Sequence, residues 1–286
     1  DSSGLALGVW DECTVTVDEP AGVRISVEGA GAGEVPVDET HLVYRVMLHT
    51  WSVLGAQPPP GITMRCRNSV PHGRGMGSSA TAIVTGIVAA QALWHLDRGI
   101  ADDVDLCVTN DIAAALEGHP DNSSASVFGG LTLSWTDDGD EDRTRTVRAP
   151  LHQDVDVAVF VPAGQLSTAK ARSVLPTQVR LADAARNSAR AALLIHALGH
   201  DPSMLLPATR EWLHQEPRRP NYPSSMALVD RIRDRGHAAV ISGAGPSVLV
   251  LTTRSSVVEV CGLADDSWQV LTPGIPQVGA VVTKHS

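Results

Sequence analysis

Pro71-His72-Gly73-Arg74-Gly75-Met76-Gly77-Ser78-Ser79-Ala80-Thr81 sets alternate glycines and a pair of serines directly before an apolar-periodic run. Glycine accepts φ > 0 and lets a ligand oxygen approach the backbone with no Cβ in the way. The first turn of a helix adds unpaired N–H groups at the positive end of its dipole. The chemistry predicted is a cradle for phosphate oxygens, with Ser78 or Ser79 free to cap the helix or to turn a hydroxyl toward a phosphate-bound metal ion. A tight turn whose glycines serve packing alone is the competing reading.

Further groups lie downstream. Glu117-Gly118-His119-Pro120-Asp121-Asn122 places a carboxylate at a predicted helix end, where it can offer hard oxygen to Mg²⁺ or sit as a solvated charge. Arg172 and Arg219 carry guanidinium forks that bind planar anions bidentately, although each taken alone reads more often as a surface charge.

Three common phosphate loops fail on chemistry. A Walker loop needs Lys before its Ser/Thr and a protein kinase needs a strand lysine, but the only lysines are Lys170 and Lys284, far from the loop. A dinucleotide fingerprint needs a third glycine where Ser78 stands.

The elements that must hold these groups follow from periodicity. Gly61 to Arg67 reads as a strand into the loop, and Ala80, Ile83, Val84, Ile87 and Val88 mark one buried face of the helix after it. Strands at about 13–19 and 22–29, helices at about 40–54 and 102–117, and a hairpin near 131–148 complete the first half. The acidic stretch Asp137 to Asp142 reads as its solvated loop. The second half reads as a strand at 155–161, helices over about 167–235, a strand at 238–241, a glycine turn, a strand at 248–251, a helix at about 255–264 and a final strand at about 277–283. That order is the split ferredoxin-like pattern with extra helices. An α+β chain of two domains is expected, 1–150 and 151–286.

The loop resembles the second motif of the GHMP kinases, P-x-x-x-G-[LM]-G-S-S-A. Ser242-Gly243-Ala244-Gly245-Pro246-Ser247 resembles their third motif, a glycine turn abutting the phosphate loop, and Asp1 to Leu7 resembles the tail of their first, whose earlier part is missing. That gap, with an opening Asp in place of Met, leads us to expect that residue 1 is not the biological start. The resemblance implies a ribosomal-S5-domain-2-like N-terminal domain and a ferredoxin-like C-terminal one. It implies ATP held by Pro71, Gly73, Arg74, Gly75, Met76, Gly77, Ser78, Ser79, Ala80, Gly243 and Gly245, and Mg²⁺ held by Ser79 and Glu117. Asn68, Ser69 and Val70 are candidate adenine walls.

Within that superfamily, His119 with Asn122, the segment Ser167 to Pro176 and the segment His214 to Arg219 are similar to homoserine kinases. Carried over by position, Asp1 would take the substrate ammonium, Arg172 and Arg219 its carboxylate, and His119 and Asn122 would contact it. The register between Arg218 and Arg219 stays open. Asn122, Asp121 and His119 are the catalytic candidates; whether Asp121 is a base, and whether His119 is a contact, a structural hydrogen-bonder or a base, stays open too. The expected reaction is phosphorylation of the L-homoserine hydroxyl by ATP. The rivals are another small alcohol as acceptor, or a ligand sensor without turnover.

Composition fits that reading. A formal charge of −10 and no basic stripe disfavour nucleic acid as a partner, and no run of 18 apolar residues suggests a membrane span. Cys13, Cys66, Cys107 and Cys261 form no C-x-x-C pair and read as small core residues of a cytoplasmic protein. A homodimer is implied by bacterial relatives.

Overall fold

A computed structural model describes residues 1–101, 103–137, 140–166 and 168–284. The tip of the expected acidic loop at 138–139 and Ser167 of the arginine segment lie outside the described residues. The chain forms two compact units, one of Asp1–Pro71, Gly77–Arg148 and Pro276–Ser286, the other of His72–Met76 and Ala149–Ile275.

The first unit runs β1 (Ser2–Leu5), β2 (Glu12–Val17), β3 (Gly22–Gly29), α1 (Leu42–Val53), β4 (Gly61–Asn68), α2 (Ser78–Asp97), α3 (Leu106–Glu117), α4 (Pro120–Phe128), β5 (Leu131–Asp137) and β6 (Asp140–Ala149). Two three-stranded sheets result, β2-β4-β3 and β1-β5-β6. β4 buries Ile62, Met64 and Cys66 and exposes Arg65 and Arg67, the period-2 alternation of a strand with one wet face. It runs antiparallel to β2 and parallel to β3, with α1 supplying the crossover that a parallel pair requires.

α2 is the core helix of this unit. Its residues pack into two clusters, Ile83, Val84, Ile87 and Val88 with Ile112 and Val127 in one, Ala90 with Met47, Trp51 and Met64 in the other. A mean hydropathy of 1.3 over 18 residues would suit a membrane, but burial of Ala80, Gly86, Gln91 and His95 besides the aliphatic residues accounts for it in the core. Gly86 lets α1 come close, since a Cβ there would lie 2.6 Å from Val43 O and 2.8 Å from Val46 Cβ.

α3 starts at Leu106 rather than near 102 because the Asp105 side chain accepts from Cys107 N at 2.8 Å and Val108 N at 3.1 Å, a fitted N-cap. It stops at Gly118, whose φ of 77° ends the helix in the left-handed region. α4 then begins with Pro120 in its first turn.

The second unit contributes β7 (Val155–Pro162), α5 (Thr168–Ser173), α6 (Leu181–Gly199), α7 (Leu205–Ala208), α8 (Gln215–Arg218), α9 (Pro223–Asp234), β8 (Ala238–Ile241), β9 (Val248–Thr253), α10 (Val257–Cys261) and β10 (Trp268–Leu271). Its sheet has the order β10-β7-β9-β8, each neighbouring pair antiparallel. Numbered within the unit that order is 4-1-3-2, the ferredoxin-like arrangement. Met226, Val229 and Ile232 of α9 and Val260 of α10 cover Ala158, Phe160, Val248 and Val250 of the sheet.

One expected element is corrected. The last strand of this sheet is Trp268–Leu271, and residues 277–283 form no strand. Prolines at 273 and 276 and glycines at 274 and 279 interrupt any ladder. The segment lies on the first unit instead, with Gly130 N bonded to Pro276 O at 2.7 Å and Arg148 Nη1 to Gln277 O at 2.7 Å.

Candidate active site

The glycine loop is ordered by its carbonyls. Leu166 N donates to Gly73 O at 2.9 Å, Ser247 N to Arg74 O at 3.2 Å and Ser242 Oγ to Gly75 O at 2.7 Å. Three successive carbonyl oxygens are thus taken by other segments of the same unit. In a planar trans peptide the N–H points opposite to the C=O, so the N–H groups of Arg74, Gly75 and Met76 face away from the donors that hold the loop.

Backbone handedness has the same effect. Gly73, Gly75 and Gly77 have φ of 62°, 73° and 77°, and among the described residues no non-glycine residue has positive φ. Left-handed residues alternating with ordinary ones turn successive N–H groups into one concavity, an anion-binding nest. Gly75 also needs its missing Cβ, which would sit 2.7 Å from Gly245 O and 2.8 Å from Gly245 N. The glycine turn at 242–247 therefore abuts the loop. Arg74 spends its guanidinium on carbonyls, with Nε to Pro162 O at 3.0 Å, Nη1 to His72 O at 3.0 Å and Nη2 to Ala163 O at 2.9 Å. It anchors the loop; its backbone N–H is what it offers an anion.

Past Met76 the chain enters α2, whose cap residue Gly77 provides no side-chain acceptor. Its first-turn N–H groups have no partner within the helix and carry the positive end of the helix dipole. Ser79 Oγ donates to Glu117 Oε2 at 3.3 Å, bringing a hydroxyl and a carboxylate together. Asn122 lies against the loop end, since a Cβ on Gly77 would meet Asn122 Cβ at 3.3 Å and Oδ1 at 3.4 Å.

Asp121 is already occupied. Its Oδ1 is 2.7 Å from His119 Nδ1 and accepts from Asn122 N at 2.7 Å. A carboxylate only accepts, so Nδ1 carries the hydrogen and the lone pair of the neutral imidazole sits on Nε2. β1 packs on this corner, and a Cβ on Gly4 would overlap Asp121 O. Asp1 precedes that strand at the exposed end.

The arginines separate. Arg172 is exposed on α5 beside the buried Ala171. Arg218 is 9 % exposed and donates Nε–H to Ala171 O at 2.9 Å, next to Arg172. Arg219 turns elsewhere: Nε and Nη2 reach Glu216 at 2.8 and 2.7 Å, and Nη1 reaches Asp230 at 2.8 Å. Glu211 shapes this corner by accepting from the N–H groups of Leu213, His214 and Gln215 at 2.6, 2.7 and 2.9 Å. Burial pushes its carboxyl up, but the His214 ring and those N–H groups outweigh it and hold the group below the usual carboxylate range. Burial raises the Tyr222 phenol to about 12, against the opposing pull of the Arg218 charge.

Models of the GHMP kinases N terminal domain and the GHMP kinases C terminal match residues 41–130 and 185–261. The chain is 44 % identical over 282 residues to a homoserine kinase of Streptomyces coelicolor, covering 99 % of this chain and 89 % of that one. It is 46 % identical over 252 residues to a homoserine kinase of Clavibacter michiganensis subsp. michiganensis, covering 88 % and 77 %. The chain belongs to the GHMP kinase family.

A crystal structure of homoserine kinase from Cytophaga hutchinsonii shares the GHMP kinase fold, with a TM-score of 0.80 at 23 % identity over 94 % of this chain and 87 % of that one. Several residues that build this GHMP kinase site escape a reading of motifs. Ser242 was visible as part of the glycine turn, but its bond to Gly75 O needs the fold. Asn110, 1 % exposed, donates to Thr144 O at 3.1 Å and accepts from Ser124 Oγ at 2.7 Å, tying α3, which ends at Glu117, to α4 and β6. Its only sequence signal is a polar residue on the apolar face of α3.

Proposed function

We propose that this GHMP kinase transfers the γ-phosphoryl group of ATP to the side-chain hydroxyl of L-homoserine, yielding O-phospho-L-homoserine and ADP. One observation carries the nucleotide half: a loop of alternating handedness in which the carbonyls of Gly73, Arg74 and Gly75 are taken, leaving the N–H groups that follow them for phosphate oxygens. In the transfer the hydroxyl oxygen bonds to phosphorus, the bond to the bridging oxygen breaks and the hydroxyl proton leaves. Catalysis is then positioning plus neutralisation of charge.

The donor set suits Mg²⁺. Ser79 Oγ and Glu117 Oε2 are hard oxygens 3.3 Å apart, near the roughly 3 Å edge of an octahedron with bonds of about 2.1 Å. Bound there, the ion would neutralise phosphate charge. Among the described residues no group of three or more His, Cys, Asp or Glu forms a metal cage, which accords with an ion that also takes phosphate oxygens and water.

For the amino acid, Asp1 receives the ammonium and Arg172 the carboxylate. Arg218 joins Arg172 in place of Arg219, because Arg219 already serves two carboxylates whereas Arg218 is buried, bound through Nε to Ala171 O beside Arg172. Asp121 orients His119, whose Nε2 accepts from the substrate hydroxyl, and Asn122 holds the substrate against Gly77. The similarity to homoserine kinases selects the acceptor, and the same similarity supports a cytoplasmic homodimer.

A coupled assay of ADP release with homoserine, threonine, mevalonate and galactose tests the reading. Turnover is expected with homoserine at a kcat/KM at least tenfold above the others. Preference for mevalonate or galactose, or tight ATP binding without turnover on any of the four, would overturn it.

A further inference from the structure

Cys13 and Cys66 lie far apart in sequence and directly opposite each other on neighbouring strands. They are register partners in the antiparallel pair β2–β4, and their sulfurs are 3.6 Å apart. Partners in such a pair have Cα atoms about 4.5 or 5.5 Å apart according to hydrogen-bonding type, and both values fall within the range of about 4.4 to 6.8 Å that a disulfide spans. Closing to a bond of about 2.05 Å asks the sulfurs to move together by about 1.5 Å. Both are free thiols here.

The other two cysteines lack this geometry. Cys107 is exposed at the start of α3 and Cys261 is half-buried at the end of α10, in the other unit. Only the Cys13 and Cys66 sulfurs are in contact among the described residues.

We propose that Cys13 and Cys66 are a reversible modification site, closed to a disulfide by a hydroperoxide and reopened by a dithiol. Cys66 Sγ attacks the distal peroxide oxygen, the O–O bond breaks, and the sulfur becomes a sulfenic acid while hydroxide or alkoxide leaves. Cys13 Sγ then attacks Cys66 Sγ, the S–O bond breaks, and the oxygen leaves as water with the thiol proton. Two thiols give up two electrons and the peroxide takes them. Either thiol can donate in the bond between the two sulfurs; with Cys13 S–H as the donor the thiolate is favoured at Cys66, while the same bond and burial keep Cys13 protonated.

The site has a place to act. Just before β2, Asp11 Oδ1 accepts from Ser69 N at 2.7 Å and Val70 N at 2.9 Å, holding the segment that follows β4 and leads to the glycine loop. A covalent link two residues past Asp11 on β2 and three residues before Ser69 on β4 would fasten the same pair of elements.

The test is peptide mapping of the full-length chain after hydrogen peroxide, with free thiols alkylated and no reductant added. Chymotrypsin separates Cys13, Cys66 and Cys107, whereas trypsin would cut Cys66 down to a dipeptide between Arg65 and Arg67. The Cys13 and Cys66 peptides are expected joined, about 2 mass units lighter than their sum. Dithiothreitol should return both to alkylation. Cys13→Ala or Cys66→Ala should abolish the joined species, and Cys107→Ala should leave it. Alkylation of both residues at a peroxide dose that oxidises exposed Cys107, or sulfinic acid on Cys66 with Cys13 still alkylated, would overturn the proposal; wild-type mapping decides this even if a variant fails to fold.

Discussion

Arg218 and Arg219 share a chemistry and differ in what surrounds them. Arg219 is held by Glu216 and Asp230 at the surface, and Arg218 is buried against Ala171. A buried guanidinium with no carboxylate partner of its own gains more from a substrate carboxylate than one already paired at the surface. Arg218→Ala should therefore lower kcat/KM for homoserine by about 2–3 kcal/mol, roughly 30- to 150-fold, while the KM for ATP moves less than about threefold. Arg219→Ala should leave the homoserine KM within about threefold, its exposed ion pairs being worth little. Steady-state kinetics on both variants, with each substrate varied in turn, checks this; the reverse ranking would return Arg219 to the clamp. Sequence spacing alone leaves the two apart by one register, because the choice depends on which side of α8 faces α5.

Elements, in contrast, were legible wherever glycine, proline or periodicity punctuates them. The strand, loop and helix from Gly61 to Asp97 follow from alternation, a glycine run and a 3/4 pattern. α4 was not foreseen as a helix. Asn122, Ser123, Ser124 and Ser126 are weak helix formers whose side chains compete for the backbone, and only the packing of Val127 and the burial of Ser123 and Ser124 settle it. Two predictions belong to this scale. Gly86→Ala should cost about 1–3 kcal/mol of unfolding free energy in urea, because a methyl there meets Val43 O and Val46 rather than space. Glu211 should make the segment before α8 sensitive to acid. Its folded pKa lies below the unfolded value, so its stabilisation is whole above the ordinary Glu pKa of about 4.3 and is lost as pH falls through the folded value. Urea unfolding of Glu211→Gln should show a deficit of about 1–3 kcal/mol at pH 7 that shrinks as pH falls below the ordinary Glu range; a constant deficit would mean the carboxylate charge is not the cause.

Across the molecule, the two-unit α+β organisation and the 4-1-3-2 sheet follow from the order of strands and helices, and the family follows from motifs that lie far apart in the chain. The path of residues 276–284 and the meeting of Cys13 with Cys66 do not, because a return crossing and a strand register are set by long-range pairing that leaves no local pattern. The central claim is the transfer itself. Phosphorus NMR of the protein with ATP, Mg²⁺ and L-homoserine reads it directly. The account predicts a new phosphomonoester resonance that couples to the side-chain CH₂ of homoserine and grows in step with ADP. ATP unchanged, or ATP lost with only inorganic phosphate appearing, would contradict it.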